Sequence, residues 1–384
     1  MIIELRGVEF VNKGAELMFH AIVDQFNKRN IHVTFVMEVT DRSPFSKIRS
    51  EGVYAKSNIQ RKGIQWNPVL SMLPISLRRK LGFVADHEIQ VVMDASGFAF
   101  GDKWGAAKAG KRAANFIKKW KKDGKQVILL PQAFGPFSKL DLSAKMKTIL
   151  ENADLVCARD AVSESYLKEL KVKNAPIFLF PDFTNMVKGT FPSSIKKDIL
   201  ELVIIPNQKM METGNQEDNT WYPIFLQKVI EIAQQKGIMP VFLIHESKMD
   251  AAIAKLVNDS LLKPIPVIHE ENALHVKGII GESKAVITSR FHGLVSALSQ
   301  GVPCLATGWS HKYEMLFKDY EYEEGLCLLH QSDDYYQEKL TSILDPEKAE
   351  SVRKKLVARS TEEKKRTEGM WNMVFGLLSH IQKK

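Results

Sequence analysis

Short apolar runs alternate, along nearly the whole chain, with segments whose hydrophobic residues recur every three or four positions. The runs suit strands of a parallel sheet covered on both faces, and the periodic segments suit helices that lay one apolar stripe on such a sheet. The pattern predicts strands at 1–10, 33–39, 89–94, 126–131, 154–158 and 177–180, with helices at 13–29, 105–122, 140–152 and 160–170. A polar segment from Lys188 to Asp198 interrupts it, and the alternation then restarts. Strands are predicted at 200–205, 239–244, 266–269 and 285–288, helices at 220–236, 247–262 and 274–282. The fold class that follows is α/β, with two doubly wound, Rossmann-like domains facing across a cleft. The N-terminal domain is expected over residues 1–187 and the C-terminal domain over 198–345. Residues 346–384 are expected as charged C-terminal helices that pack back on the N-terminal domain through the apolar spacing between Trp371 and Ile381.

Composition narrows the function classes. The chain has 384 residues, is 45% hydrophobic, and carries 54 basic against 45 acidic residues, a net charge of +9. That balance suits phosphorylated small molecules, an anionic membrane face or nucleic acid. The basic run Lys118-Lys119-Trp120-Lys121-Lys122 lacks the interleaved aromatics and glycines of a single-strand binder, so it reads as a solvated helix face and no nucleic acid partner is expected. Cys157, Cys304 and Cys327 are widely spaced and sit mostly in apolar runs, which predicts reduced core thiols and neither a disulfide framework nor a metal site. The opening residues Met1–Arg6 carry charges where a signal peptide would be apolar, and no run reaches the roughly 18 apolar residues of a membrane span. A cytoplasmic protein is expected. The stretch Leu70–Leu81, apolar and then basic at Arg78-Arg79-Lys80, admits two readings, a core helix or a peripheral membrane contact.

Candidate chemistry lies just after the strands, where ligands of doubly wound sheets bind. The run Ala285–Thr288 stops at Ser289-Arg290-Phe291-His292-Gly293, and a helical pattern follows that Gly301 and Pro303 close. Arg290 and His292 then stand where a helix begins, with its free N–H groups and positive dipole end, which is a receptor for an anion. Asn12-Lys13-Gly14 opens another helix and could offer N–H groups to a phosphate. Asp94-Ala95-Ser96-Gly97, the turn Gln132–Pro136, Arg159-Asp160 and His245-Glu246 follow further strands. Each has a plainer reading: Asp160 as a helix cap, Gly135 and Pro136 as punctuation, His245 as a strand-end histidine, Asp94 as one half of an ion pair.

The segment Ile287–Pro303, with Lys312 following in Trp309–Tyr313, resembles the signature of the polysaccharide pyruvyl transferase family. Arg6-Gly7, Asn12–Glu16, Gln132–Pro136, Ala158-Arg159-Asp160 with Ser163, and Pro181-Asp182 fall in that family's order. Two places depart from it: Ala95-Ser96-Gly97 stands where many members have three glycines, and the acidic residue of the first loop is displaced to Glu16. The resemblance implies a glycosyltransferase-B-like pair of domains, acceptor on the N-terminal side and phosphoenolpyruvate on the C-terminal side. It implies transfer of a pyruvyl group from phosphoenolpyruvate to two hydroxyls of one sugar, giving a cyclic ketal and phosphate with no cofactor. Under it, Arg159, Arg290 and Lys312 grip the donor's two anionic groups, His292 is the general acid or phosphate partner, and Asp94 is the base toward the acceptor. Ser289, Asn12, Gly14, Gln132 and His245 are further candidate substrate contacts. The implied acceptor is a hexose or N-acetylhexosamine of a capsule or exopolysaccharide, or its lipid-linked oligosaccharide precursor at the inner membrane face. A nucleotide-sugar-dependent glycosyltransferase of the same architecture is the alternative, since the same cations would hold a diphosphate. An α/β binding protein without catalysis is a third class.

Overall fold

The computed structural model describes residues 1–57, 60–61, 64–65, 72–245 and 247–382. Leu70 and Glu246 lie outside them. Contacts divide the chain into two units, residues 1–11, 18–183 and 366–384 in the first and residues 12–17 and 184–365 in the second.

The first unit is built on a sheet of β1 (Ile2–Arg6), β2 (Thr34–Met37), β3 (Tyr54–Lys56), β6 (Phe83–Val84), β7 (Val91–Asp94), β8 (Phe98–Phe100), β9 (Gln126–Phe134), β10 (Leu155–Ala158) and β11 (Ile177–Leu179). A two-stranded ribbon, β4 (Gln60–Arg61) with β5 (Ile64–Gln65), stands apart from it. The order β11-β10-β9-β7-β1-β2-β3-β6 is parallel throughout. The chain runs outward from β1 to β6, returns to β7 beside β1, and runs out the other way, which makes the β1/β7 boundary the topological switch point. β7 and β10 are buried along their whole length, as the unbroken apolar runs required.

Several predicted elements differ. The strand from Gln126 continues to Phe134, because β8 pairs with its end (Phe98 opposite Ala133, Phe100 opposite Phe134), so Gln132 is a fully buried strand residue and the turn is only Gly135–Pro136, joined by a cis bond. The helix expected over 105–122 is broken into Gly105–Ala109, a π-turn at Gly110–Ala114 and Ile117–Lys122. The π-turn frees a carbonyl: that of Lys111 accepts a hydrogen bond from the buried Arg6 guanidinium at 3.0 Å. Residues 346–384 form one helix, Pro346–Gln382, in place of several. Its last part belongs to the first unit, where Trp371 is fully buried edge-on to Phe183 and Phe375 meets Phe26. The helix Ile75–Lys80 does not bear out the core-helix reading, since Met72, Ile75, Leu77 and Leu81 are exposed while Arg78 is buried on Glu88. No described helix is long and apolar enough to cross a membrane.

The second unit has five parallel strands, β12 (Leu202–Ile205), β13 (Pro240–Ile244), β14 (Val267–His269), β15 (Ala285–Thr288) and β16 (Cys304–Ala306), in the order β14-β13-β12-β15-β16. Alternate residues feed two cores: Leu202, Ile204, Phe242, Ala285 and Ile287 on one face, Val203, Ile205, Val241, Leu243 and Val286 on the other. The switch point here lies between β12 and β15, so the segment Ser289–His292 leaves the sheet where a ligand site is expected. All three cysteines are buried free thiols, and burial pushes each of them up, Cys327 to about 12.

Candidate active site

β15 ends at Thr288, whose hydroxyl accepts from the backbone N–H of Arg290 at 3.0 Å and turns the chain into the helix Phe291–Ser299. Gly293 lets this helix start close to the strand, because a Cβ there would lie 2.6 Å from the Thr288 hydroxyl. The turn is held from below. Tyr222 donates to the Ser289 hydroxyl (2.9 Å), while Asn207 and Tyr313 donate to the Ser289 carbonyl (2.7 and 2.8 Å). Ser289 is thus buried and engaged in positioning the residue after it.

Arg290 is the N-cap of the helix and gives it no side-chain cap. One of its guanidinium nitrogens donates to both carboxylate oxygens of Asp250 at 2.6 Å each. Asp250 is fully buried and also accepts the backbone N–H of Gln208 at 2.9 Å. This pair fixes the arginine in one rotamer at the switch point. Asp250 escaped sequence reasoning, although a signal was present. It is a carboxylate on the apolar stripe Ile253, Ala254, Val257 of the helix Ser247–Ser260, and a charge on a buried stripe needs a partner. Asn207, Tyr222 and Tyr313 had no such signal.

His292 opens the helix beside Arg290 and is partly exposed. Its ring lies against Gly14: a Cβ on that glycine would come within 2.2 Å of Nδ1. Asn12 and Gly14, in the stretch that belongs with the second unit, therefore act differently from expectation. The Asn12 side chain accepts from the N–H groups of Gly14 (2.9 Å) and Ala15 (3.2 Å), so it caps its own helix and takes up the donors proposed for a phosphate. What this stretch contributes is closeness of backbone to imidazole, and Lys13, whose ammonium donates to the buried Glu16 at 2.8 Å.

His245 directly follows β13 and is 5% exposed. Burial lowers its basicity well below the ordinary histidine range, and the positive charges of Arg290, His292 and Lys13 lower it further. Its Nδ1 is buried with no hydrogen-bond partner among the described residues. Lys13, Arg290 and His292 are thereby all within electrostatic reach of His245. Lys312 joins the same helix start through Phe291, its ammonium lying 5.2 Å from that ring and 4.4 Å from that of Trp309.

In the first unit, Asp94 is the last residue of β7 at the switch point, 2% exposed. It accepts from the Ser96 N–H and hydroxyl and from the Gln132 amide, all at 3.1 Å. Gln132 is wholly interior and serves Asp94. Arg159 is buried and donates to Asp182 at 3.0 Å. Asp160 caps the helix Ala161–Glu169 through Ser163, the plainer of its two readings. Among the described residues no group of three or more His, Cys, Asp or Glu side chains is placed to hold a metal ion.

Comparisons with known proteins agree on architecture. The protein superposes on UDP-GlcNAc 2-epimerase from Neisseria meningitidis bound to UDP-GlcNAc with a TM-score of 0.60 at 12% identity, covering 98% of this chain and 99% of that one. The Anabaena protein HepE in complex with UDP-glucose gives 0.60 at 13% identity over 99% and 100% of the two chains. The S. aureus MnaA–UDP structure gives 0.56 at 10%, over 98% and 96%. At such identities the likeness establishes the fold, α/β with two Rossmann-like sheets of the glycosyltransferase-B-like kind. No curated protein sequence matches. The family model for polysaccharide pyruvyl transferase matches residues 12–311, the span that holds Lys13, His245, Asp250, Arg290 and His292. The chain belongs to the polysaccharide pyruvyl transferase family.

Proposed function

We propose that this transferase moves the pyruvyl group of phosphoenolpyruvate onto two hydroxyls of one sugar in a capsule or exopolysaccharide, or in its lipid-linked precursor at the inner membrane face. The product is a cyclic ketal, and phosphate leaves. The observation that carries the reading is that Arg290 and His292, at the start of one helix beside the switch point of the second unit, lie together with Lys13 within electrostatic reach of His245. Phosphoenolpyruvate carries a carboxylate and a phosphate on neighbouring positions, so its site needs several fixed cations and N–H donors in a small space. Arg290, clamped by Asp250, supplies a planar donor fork that cannot swing away.

In the reaction the methylene carbon of the enol gains a proton, leaving an oxocarbenium-like centre that the first sugar hydroxyl attacks. The phosphate then departs with a proton, and the second hydroxyl closes the ring. His292, partly exposed and held against Gly14, is the general acid toward the donor. Asp94, anchored by Ser96 and Gln132, is the proposed base for the acceptor hydroxyl. None of these steps calls on a cofactor.

Structures of the same fold hold UDP-sugars, so the test sets the two donors against each other. Phosphoenolpyruvate is expected to raise the melting temperature where UDP-glucose and UDP-GlcNAc do not, and lipid-linked glycans incubated with enzyme and phosphoenolpyruvate should gain the pyruvyl mass. Stabilisation by the nucleotide sugars alone would replace the pyruvyl reading with a glycosyltransferase one.

A further inference from the structure

We propose that His245 is a second proton carrier in this site, delivering the proton that leaves with the phosphate, while His292 serves the methylene carbon. The inference rests on the pyruvyl reading and deepens it. Ketal formation from an enol phosphate ester and two hydroxyls moves two protons. Each hydroxyl gives one up as its C–O bond forms; one ends on the former methylene carbon and the other on the departing phosphate as the C–O(P) bond breaks. The balance closes with no oxidant, reductant or external acid, and it calls for two relays.

The geometry offers His245 for the second. It directly follows β13, as Ser289 and Arg290 follow β15, with β12 between the two strands. Two strand spacings, on the order of 10 Å, separate those chain ends. The His245 ring is nineteen-twentieths buried, and its Nδ1 has no hydrogen-bond partner among the described residues. An unmatched ring nitrogen at this depth is costly unless a ligand atom meets it. The charged groups around it come from three other elements. Arg290 and His292 stand at the start of the helix Phe291–Ser299, Lys13 at the start of Lys13–Lys28, and Asp250 on Ser247–Ser260, the last already spent on Arg290. Lys13 is likewise paired with Glu16.

Burial first, and then the cations beside it, lower the basicity of the imidazole. The negative charge of a phosphate ester seated among Arg290, His292 and Lys13 offsets the cations' share of that lowering, and in the proposed relay donor binding thereby draws a proton onto the ring next to the group that has to leave with one. When the second hydroxyl closes the ketal, its proton restores the starting charge.

Calorimetry of phosphoenolpyruvate binding near pH 7.5, in two buffers of different ionisation heat, reads the proton taken up. Wild type and His292→Gln are expected to take up a proton on binding, and His245→Gln to bind phosphoenolpyruvate without uptake. In turnover, His245→Gln should lose on the order of 10²–10⁴ in kcat with little change in KM. Uptake that persists in His245→Gln, or disappears in His292→Gln, overturns the assignment, and the second arm decides even where the first variant does not fold. Absence of phosphoenolpyruvate binding to the wild type would overturn the pyruvyl reading itself, and this inference with it. Binding without proton uptake would overturn the inference alone.

Discussion

At Gly14 a single missing carbon decides where His292 can stand. Alanine there would place Cβ 2.2 Å from the imidazole Nδ1, far inside contact distance, while adding a residue that favours helix. The ring would have to rotate or shift by about an ångström, and displacements of that size at a reacting group cost on the order of 10²-fold in rate. Gly14→Ala is therefore expected to lower kcat by about that factor while the melting temperature holds or rises. A variant that keeps full turnover would place His292 outside the chemistry. The sequence made Arg290 and His292 legible as candidates because both fall at a strand-to-helix junction, where ligands of such sheets bind. It left Asp250 illegible as the partner of Arg290, since 40 residues separate the two and only folding joins them. Asn12 illustrates the opposite case. A cap and a phosphate ligand have the same residue type at the same place, and the bonds to Gly14 and Ala15 decide for the cap.

The helix Phe291–Ser299 is short, nine residues, and its far end is tied down from elsewhere. The carbonyl of Ser299 accepts from the Ser360 hydroxyl (2.7 Å) and the Lys364 ammonium (2.6 Å), both on the long C-terminal helix. Lys277, buried, donates to the Ser299 hydroxyl at 3.3 Å and to the Thr184 carbonyl at 2.8 Å. A positive charge at the carboxyl end complements the dipole whose amino end holds Arg290 and His292. Ser360→Ala should cost about 1 kcal/mol, and Lys364→Met about 2 kcal/mol because its bond is charge-assisted. Urea unfolding followed at the second unit measures both, and equal small effects would show this end of the helix to be held by packing alone. Most elements as long as this were legible from periodicity, the helix Asp333–Leu344 excepted. β3, β6 and β8 were not, because two or three residues carry no period, and β9 outran its predicted end because β8 was not there to extend it. The helix predicted over 105–122 reads as continuous in periodicity alone; its π-turn meets a tertiary demand, the Arg6 guanidinium seeking a carbonyl.

At the scale of the whole molecule, a chain with net charge +9 repels itself more strongly as its carboxylates protonate, so stability in acid depends on the carboxylates that hold buried cations. The first unit concentrates such a demand. The ammonium of Lys56, mostly buried, donates to the fully buried Glu4 at 2.7 Å and pairs with Asp86 at 2.8 Å; that of Lys125, 2% exposed, donates to Asp86 at 2.9 Å. Partial burial by itself would raise the Asp86 carboxyl, but Lys56 and Lys125 outweigh it and bring it down to about 2. A carboxyl depressed on folding contributes stability above its unfolded value, near 4, and that contribution is lost as pH falls through about 2. Asp86→Asn removes it at every pH and leaves Lys125 short of its counter-charge. Thermal melts from pH 7 down to pH 2 should show wild type above the variant by a constant margin down to about pH 5 and the two curves closing below pH 4. A gap that persists unchanged at pH 2 would mean that Asp86 acts through its hydrogen bonds to lysine and not through its charge.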